Sequence, residues 1–212
     1  RDFYMLGASD WDDFFRHWQA YGVDTAACLE IGCGAGRITK HLALAFSRTY
    51  GLDVSEGMIE YAKRHIEHPS VEFLVSGGVD IPLASASVSA VFSTHVFQHF
   101  DSRAHATAYF REVARVLQSG GSMMIHLPIY QWPTFPRLFE CIYVGRRYVS
   151  GVYACLRRFL MVRGLSSPIM RGIRYPLNYF FDMLPAMGFR NIEVHVFATK
   201  SNGASHPFVF AR

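Results

Sequence analysis

Three glycines within five residues, where an apolar run passes into a helical pattern, constrain this chain more than any other feature. The run is Leu29-Glu30-Ile31-Gly32-Cys33-Gly34-Ala35-Gly36-Arg37. Glycines at 32, 34 and 36 let the backbone turn sharply and approach a ligand that a Cβ would displace. The helix after the turn aims its free N–H groups at that ligand, which favours an anionic group. Such a loop belongs at the carboxyl end of a first parallel strand.

The surrounding pattern agrees. Ala26–Gly32, Thr49–Ser55, Val71–Val75, a segment within Ser87–Phe97 and Ser122–Leu127 read as strands. Helical spacing over Ile38–Phe46, Glu56–Ile66 and Arg103–Leu117 alternates with them, the last ending at a Ser119-Gly120-Gly121 stop. An earlier helix over Asp10–Ala20 takes Ser9 as its N-cap and carries Trp11, Phe14, Phe15 and Trp18 on one face. Alternation of this kind implies a parallel sheet covered on both faces. Phe189–Phe197 and His206–Ala211 break it, because their Ser-Asn-Gly-bearing connection is too short for a crossover helix. They are expected to form an antiparallel hairpin at the sheet edge.

The loop distinguishes two cofactor classes. A dinucleotide fingerprint is G-x-G-x-x-G, whereas here the spacing is G-x-G-x-G and Arg37 takes the place of the third glycine. Glu30 sits poorly beside a pyrophosphate but suits a ligand bearing an ammonium and a sulfonium. Asp53, ending the second strand, serves ribose hydroxyls in either case.

With Leu29–Arg37, the text YGLDVSEGMIEYAKRH, VFSTHVFQHF and REVARVLQSGGSMMIH resembles the class I S-adenosylmethionine-dependent methyltransferases, in particular a bacterial type-11-like domain, from about Leu29 to Met124. The resemblance implies an α/β, Rossmann-like three-layer sandwich: a mostly parallel seven-stranded sheet with a C-terminal antiparallel hairpin and a helical insert. It implies S-adenosyl-L-methionine as cofactor and S-adenosyl-L-homocysteine as product. Gly32, Gly34 and Gly36 would line the cofactor, Glu30 would lie beneath its amino-acid end, and Asp53 with Val54 would meet the ribose side. Met58 would pack on the adenine. Two departures stand out. Where relatives carry an acid that reads the adenine amino group, this chain has Gly77 or Gly78, with Asp80 later; backbone groups of Gly78 and Val79 are expected to take that part. Ser89 replaces a common Asp before the fourth strand, a change bearing on structure rather than catalysis.

Methyl transfer needs a nucleophile held in line about 3 Å from an activated methyl, and a base only where the acceptor must lose a proton. His95 and His99, with Gln98 between them, follow the fourth strand at the ligand-binding edge. His95 is expected to face the acceptor; His99 also reads as a hydrogen-bonded histidine supporting the loop. His126 and Tyr130 border the same region. For all four, a satisfied polar residue beside a pocket is the competing interpretation.

The 212 residues are half hydrophobic and 18% charged, as expected for one domain with a full core, an N-terminal helical cap over 1–24 and a lid-like insert over 128–180. Of the net charge of +4, Pro128–Phe180 carries +7 through eight arginines against Glu140, leaving −3 elsewhere. If Leu138–Val162 is one helix, Arg146/Arg147 and Arg157/Arg158 share a stripe about 16 Å apart, although Gly145 and Gly151 favour a bend. Three interpretations stay open: a solvated basic face on a lid, a fork for an anionic, aromatic or acyl small-molecule acceptor, or peripheral contact with acidic lipid by an enzyme acting on a lipid or quinone. A nucleic-acid partner is not expected. Those arginines argue against a membrane span. The start lacks the apolar core of a signal peptide, and Cys28, Cys33, Cys141 and Cys155 show no metal spacing; free thiols and a cytoplasmic setting are expected. A non-catalytic cofactor-binding protein of the same fold is the rival to an enzyme.

Overall fold

A computed structural model describes residues 3–130, 173–199 and 205–212. Its central sheet has seven strands in the order β3-β2-β1-β4-β5-β9-β8. They are β1 (Ala27–Ile31), β2 (Arg48–Asp53), β3 (Val71–Val75), β4 (Val88–Ser93), β5 (Leu117–His126), β8 (Glu193–Ala198) and β9 (Ser205–Ala211). The first five run parallel; β9 pairs antiparallel with β5 through Met123–Ala211 to His126–Phe208, and β8 pairs antiparallel with β9. The expected edge hairpin is present, and its second strand lies inside the sheet.

Period-2 alternation sorts the strand residues between two apolar layers. Leu29, Ile31, Val91, Met123, Ile125 and Val209 face one, with Phe110 and Val113 of α4 (Arg103–Val116) and Phe180 and Leu184 of α5 (Leu177–Ala186). Cys28, Ala90, Phe92, Met124, Phe208 and Phe210 face the other, with Trp11, Phe14 and Trp18 of α1 (Phe3–Tyr21) and Leu42 of α2 (Thr39–Ala45). All six residues of β4 are buried, as a central strand covered on both faces requires. Amphipathic α3 (Glu56–His65) lays Ile59 and Ala62 against Phe73 and Cys33.

Local chemistry sets most element ends. Ser55 caps α3 by accepting from the Met58 N–H, and Ser102 caps α4 by accepting from His105, each worth about 1 kcal/mol. Ser89 acts structurally. Its hydroxyl bonds the carbonyls of Asp24 and Ala27 and accepts from the Ala27 N–H, pinning the start of β4 to the start of β1.

Three boundaries differ from expectation. Helix α1 begins at Phe3 and runs through Ser9, so Ser9 is not its cap. A Cβ on Gly7 would lie 2.7 Å from the Arg37 carbonyl oxygen, so glycine lets the helix pass close to the glycine loop. Helix α4 stops at Val116, ahead of the Ser119-Gly120-Gly121 signal. There Leu117 already pairs with Val88, and the ladder resumes at Ala90–Ser122 after a register shift, so the glycines belong to an irregularity inside β5. Within the 128–180 segment, Tyr175 and Phe180 are core residues. Tyr175 opens a short ladder, β6 (Ile129–Tyr130) with β7 (Tyr175–Pro176), and its hydroxyl donates to the Phe97 carbonyl at 2.8 Å. The helix expected over Leu138–Val162, its arginine pairs and the Ser-Asn-Gly connection lie outside the described residues.

Candidate functional site

Strands β1 and β4 are neighbours whose connections leave in opposite directions along the sheet, to β2 on one side and β5 on the other. Chain crossing this switch point opens a crevice at the carboxyl edge. A cleft of about 700 Å³ lies there, walled by the ends of β1, β2 and β4 and the loops that follow them.

The three glycines play different parts. A Cβ on Gly32 would overlap the Val96 side chain, and one on Gly36 would overlap Ile66 of the α3 end. Both let the loop pack tightly, and Gly36 is not among the residues lining the cleft. Gly34 is different: its φ is +51°, no atom lies within 4 Å of where its Cβ would stand, and it lines the cleft. Here the backbone itself is the surface offered to a ligand.

Glu30 is 2% exposed beneath that loop and accepts from the Thr39 hydroxyl at 2.5 Å. Burial lifts its carboxyl to about 7, against the Thr39 hydrogen bond and the Arg37 charge, with Asp53 adding to the rise. It is an acid short of a cation. Asp53 holds the loop by accepting from the Gly34 N–H (2.8 Å) and the Ser55 N–H (2.9 Å); each carboxylate oxygen keeps a further lone pair for a hydroxyl. Val54 and Met58 line the same side, 63% and 47% exposed.

At the β3 end, Ser76 and Gly78 form the wall. The Gly78 carbonyl accepts from the Ser76 and Tyr109 hydroxyls, leaving its N–H bonded at 3.2 Å to Ser76 Oγ. Val79 packs on the core and is not among the lining residues. On the far side stand His95, His99, Phe100, His105 and Tyr109. His95, two residues past β4, has a φ of +60°, a left-handed conformation uncommon outside glycine. His99 ends a 3-10 turn, Phe97–His99, and its ring lies 3.3 Å from the Gln98 amide.

The sequence did not point to the wall beside them. His105 stacks on Phe100 (4.6 Å, 11°), which stacks on Tyr109 (4.9 Å, 12°). His105 and Tyr109 are one helical turn apart at the start of α4, directly after the β4 edge, and that placement was the available signal. His206 was also missed. It opens β9, and the antiparallel return brings it to the carboxyl edge, 5.3 Å in ring-centroid distance from both His95 and His126. At the other side of the loop, the Arg37 guanidinium meets Asp10 of α1 at 2.7 Å.

A family model described as a methyltransferase domain matches residues 29–125, the stretch that supplies nearly all of this cleft. That stretch is similar to S-adenosylmethionine-dependent methyltransferases. The chain is 36% identical over 98 residues to a malonyl-[acyl-carrier protein] O-methyltransferase of Hahella chejuensis, covering 45% of this chain and 34% of that one. It is 32% identical over 122 residues to a fatty-acid O-methyltransferase of Mycolicibacterium smegmatis, covering 54% and 42%. The alignments thus span well under half the length of these curated relatives. A magnesium protoporphyrin IX methyltransferase from Synechocystis, solved with bound S-adenosylhomocysteine, shares the fold: TM-score 0.62 at 17% identity over 97% of this chain and 83% of that one. Cys28 and Cys33 are buried free thiols, and among the described residues no helix is long and apolar enough to cross a membrane.

Proposed function

We propose that this protein transfers a methyl group from S-adenosylmethionine to an oxygen or nitrogen nucleophile of a small-molecule acceptor, an acyl or other anionic compound foremost. The observation that carries the reading is the pairing of open-faced Gly34 with the buried, cation-deficient Glu30 at one end of a switch-point cleft.

The residues present suit the cofactor. The bare backbone at Gly34 is a cradle that a Cβ would fill. Glu30 lies where an ammonium would relieve its buried charge. Asp53 has capacity left for ribose hydroxyls, Val54 and Met58 offer an apolar face to the adenine, and Gly32 and Gly36 keep the loop close-packed. Gly78 lines the adenine end, and Val79 supports it from behind. When bound, the cofactor supplies a methyl activated by positive sulfur. The protein's share is to hold the acceptor in line and exclude water.

The acceptor side falls to His95, His99 and the Phe100–His105–Tyr109 stack. Aromatic faces with imidazoles at their rim fit a flat or extended acceptor with one polar end, and His95 and His99 are positioned to receive its proton where one must leave. Relatives named for malonyl-[acyl-carrier protein] and fatty-acid O-methylation favour oxygen of an acyl compound.

The test is release of S-adenosylhomocysteine from S-adenosylmethionine supplied with a fatty acid, a malonyl thioester or a small-molecule extract. Acceptor-dependent turnover is expected. Tight binding of S-adenosylhomocysteine without turnover on any of these would leave a non-catalytic cofactor-binding protein.

A further inference from the structure

We propose that His95, His126 and His206 form a binding site for a divalent first-row transition metal, zinc being the reference ion, at the rim of the cleft. Each comes from a different part of the sheet: His95 from just past β4, His126 from the end of β5 and His206 from the start of β9. One nitrogen from each ring lies within 4.8 Å of the others. Among the described residues, no other group of three or more histidine, cysteine or acidic side chains converges in this way.

Three observations favour a site over simple packing. First, His126 and His206 are buried, which fixes two ligands, while His95 is exposed and lines the cleft, which provides an entry path. Second, Nδ1 of His126 is buried with no hydrogen-bond partner; an imidazole nitrogen in that state normally has a donor, a water or an ion opposite it. Third, His95, in a left-handed backbone conformation, holds its ring 4.6 Å from His126 and 5.3 Å from His206 between centroids.

A trio of imidazoles is a borderline-soft, all-nitrogen donor set. It suits zinc, cobalt, nickel or copper and suits magnesium or calcium poorly. Tetrahedral bonds of about 2.0 Å place ligand nitrogens about 3.3 Å apart, so the rings must close by up to about 1.5 Å. Asp10 and Arg37 are the charged neighbours of His95 and His206; paired to each other at 2.7 Å, they leave little net charge against the cation. Three protein ligands leave a position open for a water or another oxygen or nitrogen donor. The site rests on this geometry and not on the methyl-transfer reading. With metal bound, His95 becomes a ligand, and proton acceptance falls to His99.

The test uses tag-free protein stripped with a chelator and titrated with cobalt(II), read by its visible ligand-field absorption, then competed with zinc. One equivalent bound at micromolar affinity or tighter is expected. His126→Gln and His206→Gln should each weaken it at least about tenfold with the circular dichroism unchanged. His95→Asn, at an exposed position whose left-handed backbone asparagine tolerates, should do the same and keeps the test valid if a buried variant misfolds. Absence of a cobalt band, or equal affinity in the variants that fold, would overturn the site. Titration with S-adenosylhomocysteine on the same stripped protein tests the cofactor reading separately.

Discussion

A carboxylate carried to about 7 by burial is protonated over much of the pH range in which its exposed counterparts are ionised. Glu30 is such a group. Its folded value lies above the unfolded 4.5, so its contribution to stability is complete below about pH 4.5 and is lost as pH rises through about 7. An ammonium brought beside it reverses the preference, since an opposite charge stabilises the ionised form. Binding of S-adenosylhomocysteine should therefore tighten as pH rises from about 5.5 to 7 and level off above, approaching tenfold per unit on the acid side. Glu30→Gln should bind more weakly at neutral pH and lose that slope, which calorimetry at several pH values reads directly; an unchanged slope would place the ammonium elsewhere. Gly34 allows a complementary test. Because nothing meets its Cβ position, Gly34→Ala leaves the packing intact and costs only about 1–2 kcal/mol for a left-handed alanine. The methyl enters the cleft, so affinity for S-adenosylhomocysteine should fall at least about tenfold while the denaturation curve shifts slightly. An affinity unchanged by that methyl would show that the ligand does not approach the loop.

Elements were legible where one physical cause dominated. The apolar runs of β1, β2, β3 and β4 and the capped starts of α3 and α4 are set by burial and by a single serine, and sequence pattern exposes both. The start of α1 was hidden because Gly7 and Ser9 look like breakers locally; glycine is needed at 7 because a Cβ there would meet the Arg37 carbonyl oxygen, a contact between residues far apart in sequence. The end of α4 was masked by a bulge, since pairing of Leu117 with Val88 outranks a nearby glycine stop. Helix α5 gave little sign of itself, with Pro185 inside its last turn, and its apolar face has meaning only against Phe110 and Val113. Helix α1 also makes a prediction at this scale. Trp18 is fully buried, touches Phe46 and Phe92, and donates its indole N–H to Ser122 Oγ at 3.0 Å, fastening α1 to β5. Trp18→Ala should cost about 3–5 kcal/mol of unfolding free energy, measured by chemical denaturation. A loss below about 1 kcal/mol would mean that α1 is an appendage and not part of the core.

For the molecule as a whole, the site is a property of the sheet's carboxyl edge, and its legibility divides there. Glu30, the glycine loop, Asp53, Val54 and Met58 follow consecutive parallel strands, so reading the chain in order reads one side of the cleft. His126 and His206 meet because β9 returns antiparallel beside β5 in one register, His126 opposite Phe208, and register is not written in either strand alone. The same edge ties stability to binding. A ligand held at once by the β1–α2 loop, the ends of β2 and β3 and the segment after β4 contacts groups that come together only in the folded chain. Saturation at a hundred times its dissociation constant then adds about 2.7 kcal/mol to unfolding. For a chain of 212 residues, that is a rise of roughly 5–10 °C in the melting midpoint. S-adenosylhomocysteine should produce this shift in a thermal melt. NADH should not, because Arg37, held by Asp10, stands where a dinucleotide loop has its third glycine. A shift with NADH alone would reassign the loop to a pyrophosphate. A shift with neither would mean that the cleft walls do not act together on a ligand, however well each is placed.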